Sequence, residues 1–202
     1  GAEPSPDANG IIARWCERNA DGYAVHARFR RYQYDDVFKI VTVGKGECRL
    51  DPRGISFLKI APGDPANVKK PNPSYHARPA EEDCWRWSTT EIAKNGWRLP
   101  FQNGAYTSPF LFGTITISPK CIMPFCPGFA APSECSDHRF EFLRESSQMF
   151  FLSGKPLISN PQYKSLDLAF TKEPLELHAL QVHCHTGHKT TYVFEEHEVM
   201  PE

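Results

Sequence analysis

The sequence predicts a mainly β protein (class α+β): one short N-terminal helix followed by an antiparallel sheet. From Arg139 to Glu202, apolar and polar residues alternate in five short runs separated by turns. The run Tyr23–Gln33 alternates in the same way, and apolar residues at helical spacing are scarce. Such a sheet has one apolar face and one polar face. What covers the apolar face is the functional question.

Composition indicates a single large domain and excludes several function classes. We expect residues 1–8 to be disordered and residues 9–202 to form the domain, because 202 residues is an ordinary length for an all-β fold. A net charge of −1 provides no field that would attract nucleic acid. No apolar run approaches the roughly 20 residues of a membrane-spanning helix. No signal peptide is visible, and we expect one to have been removed.

The N-terminal part is predicted to be a helix followed by two long strands. Residues 9–21 place Ile11, Ile12, Trp15 and Cys16 on one side of a helix. A strand covers Tyr23–Gln33. The next strand covers Val37–Leu50, with Phe38, Ile40, Cys48 and Leu50 on one face. Gly44 and Gly46 interrupt it, which indicates a bulge or strong bend.

The following segment carries shorter predicted strands. Ile55–Ile60 follows a Pro-Arg-Gly turn, and a proline- and lysine-bearing loop spans residues 61–80. The strand Cys84–Ser88 places Trp85 and Trp87 on one face. Asn95-Gly96 is typical of a hairpin turn.

Residues 100–138 are rich in proline, glycine, cysteine and phenylalanine, including Phe110 and Phe112. Proline at this density disfavours long helices and central strands. One interpretation is a lid over an apolar cavity. The other is a loop packed on the core.

Seven cysteines leave at least one unpaired within the chain. No pair has Cys-x-x-Cys spacing, which disfavours a zinc ribbon or a thioredoxin-type site. Cys121, Cys126 and Cys135 fit either one disulfide in a loop of an exported protein or small buried apolar side chains.

Three segments in order resemble a known family. They are the helix followed by Tyr-Ala-Val-His-Ala-Arg-Phe-Arg-Arg (23–31), the strand end Gly-Lys-Gly-Glu-Cys-Arg-Leu-Asp-Pro (44–52), and the C-terminal strand pair at 177–199. Leu-Pro-Phe (99–101) and Ser-Pro-Phe-Leu-Phe-Gly (108–113) add to the pattern. Together they resemble the periplasmic outer-membrane lipoprotein carriers of the LolA type, as a divergent member. At the position before the strand-ending proline, where the family carries an arginine linked to lid opening, this chain has Asp51.

The resemblance implies a strongly curved, unclosed β-barrel whose concave apolar face is covered by the helix and a lid at residues 100–138. It implies an exported, periplasmic protein that binds acylated lipoprotein or other lipid, with membrane-protein donors and acceptors and no cofactor. The residues expected to line the lipid cavity are apolar and mostly aromatic. They are Trp15, Phe29, Phe38, Ile40, Leu50, Trp85, Trp87, Phe110, Phe112, Phe140, Phe142, Leu166, Leu168, Phe170, Leu180, Val182 and Phe194.

Catalytic motifs are lacking: the chain has no Gly-x-Ser-x-Gly, no phosphate loop and no His-Glu-x-x-His, so we do not expect an enzyme. His183, His185 and His188 surround the Thr186-Gly187 turn and are weak candidates for a zinc or copper site. Their alternative interpretation is polar-face residues at a hairpin tip.

Two functions therefore remain open from the sequence. One is an extracytoplasmic carrier or binder of lipoprotein acyl chains or other lipid. The other is an envelope sensor or scaffold of the same fold that binds a protein partner at its concave face or at a sheet edge.

Overall fold

The computed structural model describes residues 7–19, 24–51, 55–87, 91–94, 97–102, 105–106, 137–159 and 163–200. They form one α-helix, one 3-10 turn and thirteen strands. In chain order these are α1 (Ala8–Asn19), β1 (Ala24–Asp35), β2 (Ile40–Leu50), β3 (Ser56–Pro62), the 3-10 turn (Pro65–Asn67), β4 (His76–Pro79), β5 (Asp83–Trp87), β6 (Glu91–Lys94), β7 (Trp97–Gln102), β8 (Ala105–Tyr106), β9 (His138–Glu145), β10 (Met149–Pro156), β11 (Ser165–Thr171), β12 (Glu176–His183) and β13 (Lys189–Met200).

The strands form an open sheet in the order β8-β7-β6-β5-β3-β2-β1-β13-β12-β11-β10-β9. The first long strand pairs with the last, because β1 lies between β2 and β13. Among the described strands β8 and β9 form the two ends of this order and do not pair with each other, so the sheet is not closed into a barrel. The predicted fold class is confirmed.

The loop predicted at 61–80 contains a strand that the sequence did not indicate. Strand β4 pairs in parallel with the first half of β2, from Ile40 opposite His76 to Val43 opposite Pro79. Strand β3 pairs only with the second half of β2, from Gly44 to Arg49. At Val43, β3 replaces β4 as the neighbour of β2. There the backbone N–H groups of Gly63 and Ala80 both donate to the Val43 carbonyl, at 3.0 and 2.7 Å.

Of the two expectations for Gly44 and Gly46, the bulge is wrong, because β1 and β2 pair without a register shift, and the strong bend stays a prediction. The bulge lies elsewhere, between Arg28 and Phe29 where β1 meets β13. Gly46 has a packing role instead. A Cβ atom there would lie 2.4 Å from Cζ of Phe29, so only glycine leaves space for that ring.

The prediction that Phe38 lies on a strand is also wrong. Residues 36–39 form the turn between β1 and β2, and Phe38 is 72% exposed. The Asp35 carboxylate accepts hydrogen bonds from the backbone N–H groups of Val37 and Phe38, each at 2.9 Å. These bonds hold the chain in a turn before β2 begins. They also lower the pKa of Asp35, the bond from Phe38 most strongly.

Two apolar clusters lie on opposite faces of the sheet. The main cluster joins α1 to one face of β1, β2, β3 and β9–β13. The second is small and consists of Val41, Val43 and Tyr75, with Tyr32, Tyr34, Val68 and Ala77 packed against it. Because side chains alternate along β2, Val41 and Val43 point away from Cys48 of the main cluster. The second cluster holds the segment 63–75 against the opposite face.

Candidate functional site

The main apolar face is built by cross-strand pairs in the C-terminal half of the sheet. Leu166 and Leu168 of β11 lie opposite Val182 and Leu180 of β12. On their other side β10 follows, and Phe140 and Phe142 of β9 continue the face. Side chains at these positions share one face because a strand alternates with a period of two. Apart from Phe142, which is half-buried, the named side chains are buried.

Helix α1 covers this half of the sheet. The Trp15 ring meets the Phe170 ring edge-on, with centroids 5.2 Å apart and planes at 66°. Arg18 forms an ion pair with Glu176 at the start of β12, at 3.3 Å. Cys16, also in the buried cluster, is disulfide-bonded. The helix is therefore held to the sheet by packing and by charge.

The N-terminal half of the face is arranged around Phe29. Its ring contacts Tyr192 and Phe194 of β13 edge-on, with centroids 5.6 and 6.0 Å apart. Leu58 and Ile60 of β3 belong to the same buried cluster. The apolar surface is thus continuous from β3 across β1 and β13 to β9.

This face is wider than α1 can cover. The apolar cluster extends over eight adjacent strands, from β3 to β9, which at about 4.8 Å apart span about 34 Å. A helix of 12 residues is about 18 Å long, which equals the width of about four neighbouring strands. The contacts of α1 agree with this, because they reach β9, Phe170 of β11 and Glu176 of β12. Partly buried apolar side chains border the cluster: Trp85, Phe142, Phe150 and Leu175.

Eleven of the seventeen predicted lining residues lie in this cluster or pack against it. They are Trp15, Phe29, Trp85, Phe140, Phe142, Leu166, Leu168, Phe170, Leu180, Val182 and Phe194. Ile40 is half-buried and lies outside the cluster, and Phe38 is exposed. The side chains of Leu50 and Trp87, and all of Phe110 and Phe112, lie outside what the structure describes. So do Cys121, Cys126, Cys135 and residues 107–136 of the predicted lid. That these residues line a ligand stays a prediction.

Several cluster members were missed in the sequence. Tyr192 shares the parity of Phe194, so the alternation of β13 could have identified it. Leu177 has the opposite parity to Leu180 and Val182. It reaches the same face only because the register between β11 and β12 shifts between Ala169 and Phe170. No local signal in the sequence marks that shift.

A pocket of about 610 Å³ lies on the other, polar face of the sheet. Phe29 and Ile60 border it but are almost completely buried, so their side chains contribute little open surface. The exposed members of its lining are charged, including Lys45 and Lys59. Lys59 also pairs with Glu47, at 3.8 Å. We therefore do not assign this pocket to an apolar ligand.

The three histidines proposed for a metal are engaged separately. His183 Nε2 lies 2.7 Å from Asp167 Oδ2, and His188 Nε2 lies 3.7 Å from Asp35 Oδ1. His185 is exposed. Within the described ranges no group of three or more His, Cys, Asp or Glu side chains is placed to hold a metal ion. The interpretation as polar-face residues at a hairpin tip fits these contacts.

Asp51, at the position where the resembled family carries an arginine, is part of the turn between β2 and β3. Its backbone N–H donates to Ser56 Oγ at 2.9 Å, and its carboxylate lies 3.8 Å from Arg49 Nη2. Side chains at this site therefore stabilise a turn. No helix among the described residues is long and apolar enough to cross a membrane.

Comparisons with known proteins give matches in structure only. No family model and no curated protein sequence matches the chain. Similar solved structures include a LolA superfamily protein of Nitrosomonas europaea, at 8% identity over 98% of this chain and 96% of that chain, with a TM-score of 0.40. The lipoprotein LppX of Mycobacterium tuberculosis matches at 8% identity over 97% and 99%, with a TM-score of 0.42.

A third similar structure is the MucA/MucB complex of Pseudomonas aeruginosa, at 10% identity over 98% of this chain and 59% of that chain, with a TM-score of 0.44. The LolA superfamily, which the sequence resembles, is thus among the folds to which this chain is similar. At such identities and TM-scores the likeness is one of fold alone.

Proposed function

We propose that the protein is an extracytoplasmic binding protein that holds acyl chains of a lipoprotein or lipid against its main apolar face. The observation that carries this is the mismatch between that face and its cover. Helix α1 matches about four strands, whereas the apolar cluster continues to β3, with Trp85 packed against it from β5. An acyl chain is flexible and apolar along its length, so it suits a long curved face better than a compact ligand does.

The energetics favour a closable face over a rigid cavity. Each buried CH₂ group of an acyl chain gains about 0.8 kcal/mol relative to water. Two or three long chains would exceed the ceiling of roughly −20 kcal/mol that real affinities reach. The relevant competitor is therefore a membrane, and a carrier must release its chains to an acceptor. We propose the predicted lid, residues 100–138, as the moving part of the cover, apart from its ends, which pair in β7, β8 and β9.

The disulfide of Cys16 supports the extracytoplasmic location. Structural disulfides persist in oxidising compartments and are rare in the cytosol. Cys16, which forms this bond, lies in the helix that covers the apolar face. We propose that membrane-protein donors and acceptors deliver and remove the cargo.

A matched pair of variants on one strand tests the acyl-chain proposal. Phe142 packs at the border of the apolar cluster, whereas its neighbour Leu143 lies outside the cluster and is 54% exposed. The probe is dansyl-undecanoic acid, titrated against the purified protein and followed by its fluorescence. We expect saturable binding by the unsubstituted chain. Phe142→Ser removes apolar contact worth about 1.5–3 kcal/mol, so its Kd should rise about tenfold or more.

Leu143→Ser is the control and should bind as the unsubstituted chain does. Thermal unfolding of both variants checks that each remains folded at the titration temperature. Absence of saturable binding by the unsubstituted chain would contradict the proposal. So would equal losses in the two variants, because the effect would then not belong to the apolar face.

A second candidate function is the holding of a protein partner at strand β9. Within the described sheet β9 has a neighbour on one side only, β10. A one-sided strand presents unpaired backbone groups to which an extended segment of another protein can add. Native mass spectrometry of the protein purified from its own envelope separates the two functions. A stoichiometric protein partner without lipid favours this one, and co-purified acylated species favour the first.

A further inference from the structure

A small basic pocket lies on the face opposite the main apolar cluster. It has a volume of about 240 Å³ and is lined by Tyr34, Lys69, Lys70, Pro71, Gln181 and Lys189. Register brings the strand residues together, because Lys189 of β13 lies directly opposite Tyr34 of β1. Gln181 follows on β12, where it lies opposite Thr191 of β13. The remaining wall comes from the segment that leaves the sheet after β3.

That segment is held in place and is not a free loop. Val68 packs against the small cluster of Val41, Val43 and Tyr75, just before the two lysines. Just after them, the Asn72 side chain accepts a hydrogen bond from the Ser74 backbone N–H at 3.0 Å. The Tyr75 hydroxyl donates to Asp36 of the β1–β2 turn. Lys69 and Lys70 are therefore presented at a defined place beside Lys189.

The three lysines of this pocket are uncompensated. None of their ammonium groups has a hydrogen bond or ion pair with any residue that the structure describes. Some other surface lysines are paired, such as Lys59 with Glu47 and Lys172 with Glu145. The chain carries a net charge of −1, so this local excess of positive charge is not a property of the whole molecule.

The nearby carboxylates already have partners. Asp35 accepts two backbone N–H groups and lies near His188. Asp36 accepts from Tyr75, and Asp167, which is opposite Gln181 in register, lies 2.7 Å from His183. None of these carboxylates forms an ion pair with Lys69, Lys70 or Lys189 among the described residues. No carboxylate lines the pocket.

The donors of the pocket outnumber its acceptors. Each lysine offers three N–H donors and no acceptor, and a tyrosine hydroxyl can donate as well. Burial raises the pKa of Tyr34, so its hydroxyl keeps its proton at neutral pH. One N–H of the Gln181 amide is used by Thr191, at 2.9 Å. The arrangement suits an anion that offers several acceptor oxygens.

We propose that this pocket binds a phosphate group, either that of a lipid headgroup or that of a free phosphate compound. A volume of about 240 Å³ corresponds to about eight water molecules at roughly 30 Å³ each. That space accommodates a phosphate with a short polar substituent and is below the roughly 300 Å³ at which pockets for larger organic ligands begin. The site does not depend on the acyl-chain proposal, since it lies on the other face.

The test uses two double variants that remove the same charge. Lys69→Gln with Lys70→Gln removes two lysines of the pocket. Lys155→Gln with Lys164→Gln removes two exposed lysines elsewhere that also have no partner among the described residues. All four side chains are exposed at least in part, so folding is not at risk, and thermal unfolding verifies this. Titrations are run at constant ionic strength, because screening changes all exposed charges together.

The probes distinguish the two sources of phosphate. One arm titrates inorganic phosphate by calorimetry. The other measures sedimentation with vesicles of pure phosphatidylcholine and with vesicles of phosphatidylcholine and phosphatidylglycerol in equal amounts. We expect saturable binding in at least one arm, a rise in Kd of about tenfold in the pocket variant, and little change in the control variant.

Each outcome decides the proposal. Binding of inorganic phosphate identifies a free phosphate compound, and a preference for phosphatidylglycerol vesicles alone identifies a headgroup. Either kind of binding supports the site if it is lost in the pocket variant and kept in the control variant. Equal losses in both double variants, or no saturable binding in either arm, overturn it. Dansyl-undecanoic acid binding should be the same in all these variants, so the failure of one proposal is distinguishable from that of the other.

Discussion

Replacing Gly46 by alanine should destabilise the protein, because the new methyl group would clash with Phe29 and with the backbone of Lys59. The new Cβ atom would lie 2.4 Å from Cζ and 2.6 Å from Cε2 of Phe29, and 2.8 Å from the backbone oxygen of Lys59. The Phe29 ring cannot simply turn away, because it is buried and contacts Tyr192 and Phe194 edge-on. The Lys59 oxygen belongs to the pairing between β2 and β3 and is equally constrained.

The size of the effect follows from these contacts. Overpacking a well-packed core usually costs about 1–3 kcal/mol. A disturbed aromatic pair adds about 0.5–1.5 kcal/mol. We therefore expect Gly46→Ala to lower the free energy of unfolding by about 3 kcal/mol. For a chain of this length 1 kcal/mol corresponds to about 2–4 °C, so the Tm should fall by about 6–12 °C.

The assay is urea and thermal unfolding followed by far-ultraviolet circular dichroism, with Gly10→Ala as the matched control. Gly10 lies on the exposed side of α1, and its nearest atoms would be 3.9 Å from a new Cβ. Alanine should therefore stabilise the helix by about 0.8–1.0 kcal/mol. Replacing glycine by alanine is thus expected to stabilise the protein at position 10 and to destabilise it at position 46. If Gly46→Ala unfolds at the same urea concentration as the unsubstituted chain, the close packing of Phe29 on β2 is refuted.

Three further predictions concern buried side chains. Trp15→Ala should lower the free energy of unfolding by about 3–5 kcal/mol in thermal unfolding, because the indole is buried against Phe170. The control, Arg14→Ala at an exposed position of the same helix, should change it by no more than about 0.5 kcal/mol. Equal values for the two variants would mean that α1 does not pack on the sheet. Burial raises the pKa of Cys48 to about 12. Iodoacetamide at about pH 8 should therefore label the half-buried Cys184 first and Cys48 only after unfolding, which peptide mass spectrometry would show. Labelling of both cysteines at the same rate would contradict this. The free energy of unfolding should also fall as pH rises from about 9 toward about 12, because the Cys48 thiol ionises at a lower pH in the unfolded chain than in the folded one. Cys48→Ala should make this dependence on pH less steep. An unchanged pH dependence in that variant would mean that other groups cause it.

The C-terminal strands and the helix were predictable because their signals are local. The alternation of Leu166, Leu168 and Phe170 along β11 places all three on one face. Helical spacing likewise places Trp15 on the buried side of α1. Burial of an amphipathic face is a strong constraint, so a period of two or of 3.6 determines both the element and the face it buries.

The failures came where a neighbour in space decides the conformation. Phe38 continues the apolar parity of β2, but the carboxylate of Asp35 captures its backbone N–H and holds it in a turn. The parallel pairing of β4 depends on the vacant edge of β2 beyond Gly44, which no local pattern near His76 reveals. Gly46 looked like a break in a strand, and only the position of the Phe29 ring shows why a side chain is excluded there.

The sequence alone determined that this is a β protein with a single short helix and one long apolar face, because periodicity is a property of each segment by itself. The tertiary structure decided which strands adjoin, which half of that face α1 covers, and which polar side chains meet on the opposite face. Lys189 is far from Lys69 and Lys70 in the sequence and shares one pocket with them only because β1 lies beside β13 and the segment after β3 folds back. Long-range pairing of this kind depends on the register and closure of the whole sheet, and no single segment encodes it.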